Sequence, residues 1–244
     1  DNFKKRFQVY RTNWKLNPTN AYKDGDFKNY LPLCLDIETA SICDLACPHC
    51  FREYIITPDK IMNFELYKKI IDTAVKWKVP SIKLNWRGEP LLNPKLPKFI
   101  NYAKIMGILE VSINTNATNL DKKRSNELID SGLDLIIYSF DGGTKKTYEK
   151  MRPSRFKSNK FEDVLKNIRQ FSEIKKQRMK KFPITKIQMV LTNESRKEIN
   201  DFYDLFSNCV DDVTVTQYTE RGGNLESISE DKKDKLINYL NENN

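Results

Sequence analysis

The sequence alternates between short apolar runs typical of β-strands and longer segments with helical periodicity. The alternation begins after residue 32 and repeats six times, and each unit takes about thirty residues, the size of one βαβ step. This pattern predicts an α/β fold with a parallel sheet and helices packed outside it. The predicted strands cover residues 33–38, 81–86, 108–115, 133–140, 184–191 and 213–217. The predicted helices cover residues 64–77, 94–106, 121–130, 161–176, 195–208 and 229–240.

Three cysteines, Cys43, Cys47 and Cys50, follow the first predicted strand in the pattern C-x3-C-x2-C. Thiolates are soft ligands that suit iron–sulfur clusters and zinc. Three cysteines leave one iron of a [4Fe–4S] cubane without a protein ligand, whereas a structural zinc site takes four protein ligands. The count therefore favours a cluster with an open iron. Zinc binding, completed in principle by Cys34 or Cys209, and buried free cysteines remain the alternatives.

The rest of the composition narrows the chemistry. His49 is the only histidine of the chain, so Ser-His-Asp and Cys-His catalysis find no base elsewhere. There is no apolar run of membrane-spanning length and no apolar signal-peptide core at the start. With five cysteines, three of them clustered, the chain makes a poor disulfide framework, and a reducing cytoplasmic location is expected.

The formal net charge of +9 raises the question of a nucleic-acid partner. The lysines are spread along the predicted helical faces, and only residues 175–181 form a dense basic run. A solvated helix end explains that run. Nucleic-acid binding is therefore the minority hypothesis.

The cysteine pattern resembles the signature of the radical S-adenosylmethionine (SAM) enzymes. The resemblance implies a partial (β/α)6 TIM barrel, and the six predicted units agree with that number. It implies a [4Fe–4S] cluster on Cys43, Cys47 and Cys50, with SAM chelating the fourth iron. One electron would then cleave SAM to a 5′-deoxyadenosyl radical, which abstracts hydrogen from a substrate. His49 takes the place of the aromatic residue that usually precedes the last cysteine.

A second resemblance lies after the second and third predicted strands. Gly88, Glu89 and Pro90 resemble the Gly-Glu-Pro element of the family, whose loop contacts the amino group of SAM. The tripeptide alone would indicate a plain turn, but its position in the sequence, about forty residues after the cysteines, supports the resemblance. Asn116 belongs to a segment similar to the Thr-Asn-Gly of the family, with Ala117 where glycine is usual.

A third resemblance follows the fourth predicted strand. Ser139 and Asp141 resemble a Ser-x-Asp-Gly segment, whose serine hydrogen-bonds the SAM ribose, and Arg152 takes the place of an arginine that meets the SAM carboxylate. A turn and a surface arginine are the structural alternatives. The SAM-binding residues that the resemblance implies are His49, Gly88, Glu89, Pro90, Asn116, Ser139, Asp141 and Arg152.

A substrate is expected over the same rim, because ligands bind at the carboxyl ends of parallel strands. Polar residues at this rim can equally be structural. The candidates are Asp36, Glu38, Arg87, Tyr138, Gln217 and Arg221. We expect a small molecule such as a sugar, or a peptide, and an electron donor such as flavodoxin or ferredoxin. An RNA-modifying enzyme and a non-enzymatic zinc protein are the alternatives.

The chain is expected to divide into three regions. Residues 1–32 form a polar lead-in packed on the barrel, with Trp14, Leu16 and Tyr22 as candidate contacts and a turn expected at the Asn17–Pro18 step. Residues 33–224 form the core. Residues 225–244 form a helix or linker. The segment from Arg221 to Asn224 resembles the connection to the cysteine-rich SPASM extension, and no such cysteines follow it here, so the extension is expected to be absent or truncated.

Overall fold

The computed structural model describes residues 2–25, 28–54, 58–156 and 159–218. Within them, six parallel strands form one sheet. The strands are β1 (Cys34–Asp36), β2 (Ser81–Lys83), β3 (Glu110–Thr115), β4 (Leu135–Ser139), β5 (Ile184–Leu191) and β6 (Asp212–Gln217). The helices are α1 (Asn2–Asp24), α2 (Phe64–Lys76), α3 (Leu96–Ile105), α4 (Lys122–Asp130), α5 (Lys145–Met151), α6 (Phe161–Gln177) and α7 (Ile199–Phe206).

The strands lie side by side in the order β1-β2-β3-β4-β5-β6. Each strand pairs in parallel with the next one along the chain. A doubly wound sheet would reverse this order at a switch point, and this sheet does not. The prediction of an α/β fold built as a partial (β/α)6 TIM barrel is therefore confirmed.

The core lies between the sheet and the helices. Successive strand residues point to opposite faces, and every second residue of β3 and β4 is fully buried, as at Val111, Ile113 and Ile136. These side chains join one apolar cluster with residues of α2 and α6, such as Ile71 and Ile168. The helices therefore cover one face of the sheet, which leaves the other face to line the barrel interior.

The lead-in differs from its prediction. Residues 2–24 form helix α1, which continues through Pro18, so the turn expected there is wrong. The three expected contacts, Trp14, Leu16 and Tyr22, are exposed. Tyr10 and Ala21 are buried instead, and the hydroxyl of Tyr10 donates to Glu110 Oε1 at 3.1 Å. α1 has no regular apolar stripe, and this is why periodicity did not reveal it.

Two further differences concern helices. Helix α5 was not predicted, because its seven residues are too few to show a period. The helix predicted at 229–240, and residues 225–244 generally, lie outside the described residues. In the described part of the chain, no helix combines the length and the apolar character needed to cross a bilayer.

Candidate active site

The loop after β1 places its three cysteines in one cleft of about 640 Å³ at the carboxyl ends of the strands. The amide of Cys50 donates to the carbonyl of Cys47 at 2.9 Å, which closes a turn between these two residues. The amide of Ala46 donates to the carbonyl of Pro153 at 2.9 Å and ties the loop to the segment after α5. Cys43, Cys47 and Cys50 therefore belong to one anchored loop.

The state of the three cysteines bears on the kind of metal group that they suit. All five cysteines of the chain are free thiols. Among the described residues, no three His, Cys, Asp or Glu side chains converge as a single ion requires. A cubane spreads its thiolate ligands over separate irons, so it does not require the cysteines to converge on one point. Burial raises the pKa of Cys43 to about 12 and that of Cys47 to about 11, so at neutral pH both are thiols unless a nearby cation stabilises the thiolates.

The Gly-Glu-Pro loop is packed tightly against the cysteine loop. A Cβ at Gly88 would lie 2.0 Å from the carbonyl oxygen of Ala40, so only glycine fits there. Glu38 accepts the amide of Arg87 at 2.9 Å and its guanidinium at 2.6 Å. Glu38 and Arg87 thus hold this loop together. Pro90 starts a short 3₁₀ helix and is buried outside the cleft.

Glu89 connects the loop after β2 to the carboxyl end of β3. Its carboxylate is 3% exposed. Oε1 accepts the hydroxyl of Thr115 at 2.6 Å, and Oε2 accepts the amide of Asn116 at 2.8 Å. Desolvation outweighs these hydrogen bonds and raises the pKa of Glu89 to about 7.

Asp44 makes a second link, which sequence reasoning missed. Its carboxylate accepts Asn116 Nδ2 at 2.7 Å, Thr118 Oγ1 at 2.5 Å and Asn119 Nδ2 at 3.0 Å. Asn116 Nδ2 also lies 4.0 Å from Cys43 Sγ, within reach of a weak hydrogen bond to sulfur. The only sequence signal was a carboxylate inside the cysteine motif.

Asp141 forms the third link and does not line the cleft. It is fully buried, and its Oδ2 lies 2.6 Å from Arg152 Nη2 and 3.2 Å from His49 Nε2. Its Oδ1 accepts the amide of Val190 at 2.7 Å. Burial opposes ionisation, but Arg152 and His49 hold the pKa of Asp141 down at about 2. Asp141 therefore supports two cleft residues from behind.

Arg152 owes its position to α5. It is the residue that follows this helix, and its amide donates to the carbonyl of Tyr148 at 2.9 Å. The start of α5 is held by Glu198, which accepts the amide of Gly143 at 2.8 Å and the hydroxyl of Thr147 at 2.6 Å. Sequence reasoning missed Glu198, because nothing in the chain marks this distant contact.

The structure brings most of the predicted residues together. Besides the cysteines, the cleft is lined by His49, Gly88, Glu89, Asn116, Ser139 and Arg152, and by the substrate candidates Arg87 and Gln217.

The remaining candidates lie elsewhere. Tyr138 is 1% exposed and packs on Phe171 of α6, on the helix side of the sheet. Asp36 Oδ1 lies 3.7 Å from Lys83 Nζ and does not line the cleft. Arg221 lies outside the described residues.

Comparison with known proteins agrees with this geometry. The family model of the Radical SAM superfamily matches residues 37–206. A probable GTP 3′,8-cyclase of Methanothermobacter marburgensis is 29% identical over 186 residues, which cover 76% of this chain and 56% of that protein. A tungsten-containing aldehyde ferredoxin oxidoreductase cofactor-modifying protein of Pyrococcus furiosus is 32% identical over 110 residues, 44% of this chain and 30% of that protein.

The structure of Streptococcus suis SuiB bound to precursor peptide SuiA shares the fold. Its TM-score is 0.65 at 21% identity, and the match covers 86% of this chain and 46% of SuiB. The chain spans 30% to 56% of the length of the two curated relatives above. Because the family match extends over more than half of the chain, the protein belongs to the radical SAM superfamily, enzymes that use a [4Fe–4S] cluster and SAM.

Proposed function

We propose that the chain reductively cleaves SAM at a [4Fe–4S] cluster held by Cys43, Cys47 and Cys50, and abstracts hydrogen from a small molecule or a peptide. The observation that carries this proposal is that the three cysteines share one cleft with Glu89 and Arg152. Once bound, the cluster and SAM supply the electron transfer and the 5′-deoxyadenosyl radical. The chain supplies binding sites, charge and a fixed geometry.

Arg152 and Glu89 offer opposite charges to a ligand that carries both an amine and a carboxylate. Arg152 Nε is buried and has no hydrogen-bond partner in the described part of the chain, so one donor remains for a ligand carboxylate. Both oxygens of Glu89 are already hydrogen-bonded by the protein, so Glu89 acts on a ligand amine through its charge, and a bound amine would in turn favour the ionised form of a carboxyl whose pKa is about 7. The hydroxyl of Ser139 lines the cleft and suits a ribose diol.

The sequence relatives favour a small-molecule substrate. The probable GTP 3′,8-cyclase matches over most of this chain. SuiB, whose structure holds a peptide, supports a common fold alone at 21% identity. An electron donor such as flavodoxin or ferredoxin would supply the electron.

The net charge of +9 supports a second candidate, an RNA substrate. RNA binding through backbone phosphates would weaken steeply with added salt. A filter-binding titration at two salt concentrations therefore separates the two candidates. Negligible binding that does not respond to salt removes the RNA hypothesis.

Metal content and SAM cleavage test the main proposal. The anaerobically reconstituted protein should hold about four iron ions per chain, as one [4Fe–4S] cluster requires, and show a brown chromophore. With SAM and dithionite it should release 5′-deoxyadenosine. Cys47→Ala should lose both properties, whereas Cys34→Ala and Cys209→Ala, outside the motif, should keep them. About one zinc per chain without a chromophore would refute the proposal.

A further inference from the structure

The barrel interior is polar where it meets the cleft. Along β2 the fully buried Ile82 alternates with Lys83, and along β3 the fully buried Ile113 alternates with Asn114. Lys83 and Asn114 line the cleft, as does Gln188 of β5. A complete TIM barrel fills its interior with branched apolar residues, whereas this interior is open and offers hydrogen-bonding groups.

Lys83 is the cleft cation with the weakest protein partner. Arg87 and Arg152 also line the cleft, and each pairs with a carboxylate at 2.6 Å. For Lys83 Nζ the paired carboxylate oxygen, on Asp36, lies 3.7 Å away, beyond hydrogen-bonding distance. The side chain of Asp36 is 49% exposed, so water screens this pair. Lys83 therefore retains charge and donors for a ligand.

Asn114 presents an acceptor in need of a donor. Its Oδ1 is buried and has no hydrogen-bond partner among the described residues. Buried polar atoms nearly always have a partner, so this oxygen points to a hydroxyl or N–H group of a ligand. On the opposite wall, Gln188 Nε2 donates to Thr216 Oγ1 at 3.1 Å, so this wall is polar and neutral.

The register orders these groups by depth. Lys83 pairs with Ser112 across β2 and β3, and Asn114 is the next residue of β3 on the same face. Two residues of a strand rise by about 7 Å, so Asn114 lies that much nearer to the rim. The cysteine loop lies at the rim itself. A ligand thus meets a cation at the floor, an acceptor halfway and the cysteines at the top.

We propose that the substrate is a small molecule that carries hydroxyl or amide groups and ends in an oxyanion, a carboxylate or a phosphate. Lys83 binds the oxyanion at the floor, and Asn114 Oδ1 accepts a hydrogen bond from the middle of the molecule. The opposite end then faces the cysteine loop. This inference rests on the proposed function and specifies its substrate class.

Four probes built on the same pyranose ring test the proposal: glucose 6-phosphate, glucuronate, glucose and glucosamine. Their dissociation constants are measured by saturation-transfer-difference NMR on the reconstituted protein with SAM. The anionic pair should bind about tenfold tighter than glucose, the ratio expected for one charge-assisted hydrogen bond. The two anions separate a phosphate preference from a carboxylate preference.

Variants of Lys83 test whether this residue causes the preference for anions. Lys83→Met should abolish it and Lys83→Arg should keep it, while Lys122→Met, at an exposed position of α4, should change nothing. The proposal would be overturned if all four probes bound equally, if glucosamine bound most tightly, or if none bound. It would also be overturned if Lys83→Met kept the preference for anions. Circular dichroism of each variant verifies that it is folded.

Iron content and 5′-deoxyadenosine release are measured on the same samples. A sample that holds the cluster and cleaves SAM but shows no anion preference refutes this inference alone. A sample that prefers anions but forms no cluster refutes the proposed function alone.

Discussion

The two sides of the cleft are held by different forces. On the side of β1–β4, buried carboxylates join loops that are distant in sequence: Glu89 is 3% exposed and Asp141 fully buried. On the side of β5 and β6, Gln188 and Thr216 share one neutral hydrogen bond of 3.1 Å, and Gln217 is exposed. The first side carries the cysteines and the residues that resemble SAM contacts. The charged links therefore lie beside the residues that resemble SAM contacts, whereas the wall formed by β5 and β6 offers the cleft neutral groups.

Losing a partner costs more free energy for a buried charge than for a half-exposed neutral group. Removing one member of a buried ion pair leaves the other without compensation, at a cost of about 3–5 kcal/mol. A half-exposed neutral hydrogen bond contributes about 0.5–1.5 kcal/mol. Loops fixed by carboxylates are therefore preorganised before a cofactor arrives, which is the arrangement that precise binding requires.

The largest effect is expected for Asp141→Asn. The change leaves the buried guanidinium of Arg152 without its carboxylate, so the free energy of unfolding should fall by about 3–5 kcal/mol. SAM affinity should fall as well, because Arg152 loses its orientation. Urea unfolding and SAM titration measure the two effects.

An exposed ion pair provides the matched control for that variant. Asp130 pairs with Arg178 at 2.5 Å, but its side chain is 58% exposed. Asp130→Asn should therefore cost at most about 1 kcal/mol and leave SAM affinity unchanged. If Asp130→Asn and Asp141→Asn lost equal amounts of unfolding free energy and of SAM affinity, the burial of the Asp141 pair would not account for its effect.

The second effect sharpens the comparison through pH. The pKa of Glu89 is raised to about 7, so its contribution to stability is present below pH 4.5 and is lost as the pH rises through 7. Between pH 5 and pH 8 the wild type should lose about 2.5 kcal/mol relative to Glu89→Gln, from the difference between these two pKa values. Unfolding curves of both proteins at pH 5, 6.5 and 8 measure the difference. If the difference in the free energy of unfolding between the two proteins stayed constant across this range, Glu89 would not titrate there.

The sequence predicted the strands and the cysteine loop, because both follow from local patterns. Alternation located the strands and indicated a parallel sheet, the count of six units agreed with the barrel that the resemblance implies, and the short spacing of the cysteines kept them on one loop. The polar barrel interior was also visible, since Lys83 and Asn85 alternate with the apolar Ile82 and Leu84, but that pattern was read only as a strand.

Side-chain direction at the strand ends could not be predicted. Tyr138 and Ser139 are neighbours and face opposite sides of the sheet, so an error of one residue exchanges a core residue for a cleft residue. The burial of Asp141 behind the cleft depends on Arg152 and His49, which reach it from two other segments. Contacts between such distant residues leave no periodic signal in a single chain.

Ala117 shows a further limit. It has a φ of +59°, the left-handed region that favours glycine, at the position where the family usually has glycine. From the sequence, alanine in place of glycine argued against close approach of a ligand at this spot. The geometry that glycine favours is instead kept, and Ala117 is fully buried in the core.

The smallest effect is expected for Thr216→Val on the neutral side. The variant loses the hydrogen bond from Gln188 Nε2 and keeps the shape of the side chain, so stability should fall by no more than about 1 kcal/mol. Iron content and SAM affinity should equal those of the wild type, because the side chain of Thr216 hydrogen-bonds neither Asp141 nor Glu89. SAM titration beside Asp141→Asn measures the contrast. If Thr216→Val weakened SAM binding as much as Asp141→Asn does, the neutral wall would matter for SAM binding as much as the charged links, and the contrast between the two sides of the cleft would be wrong.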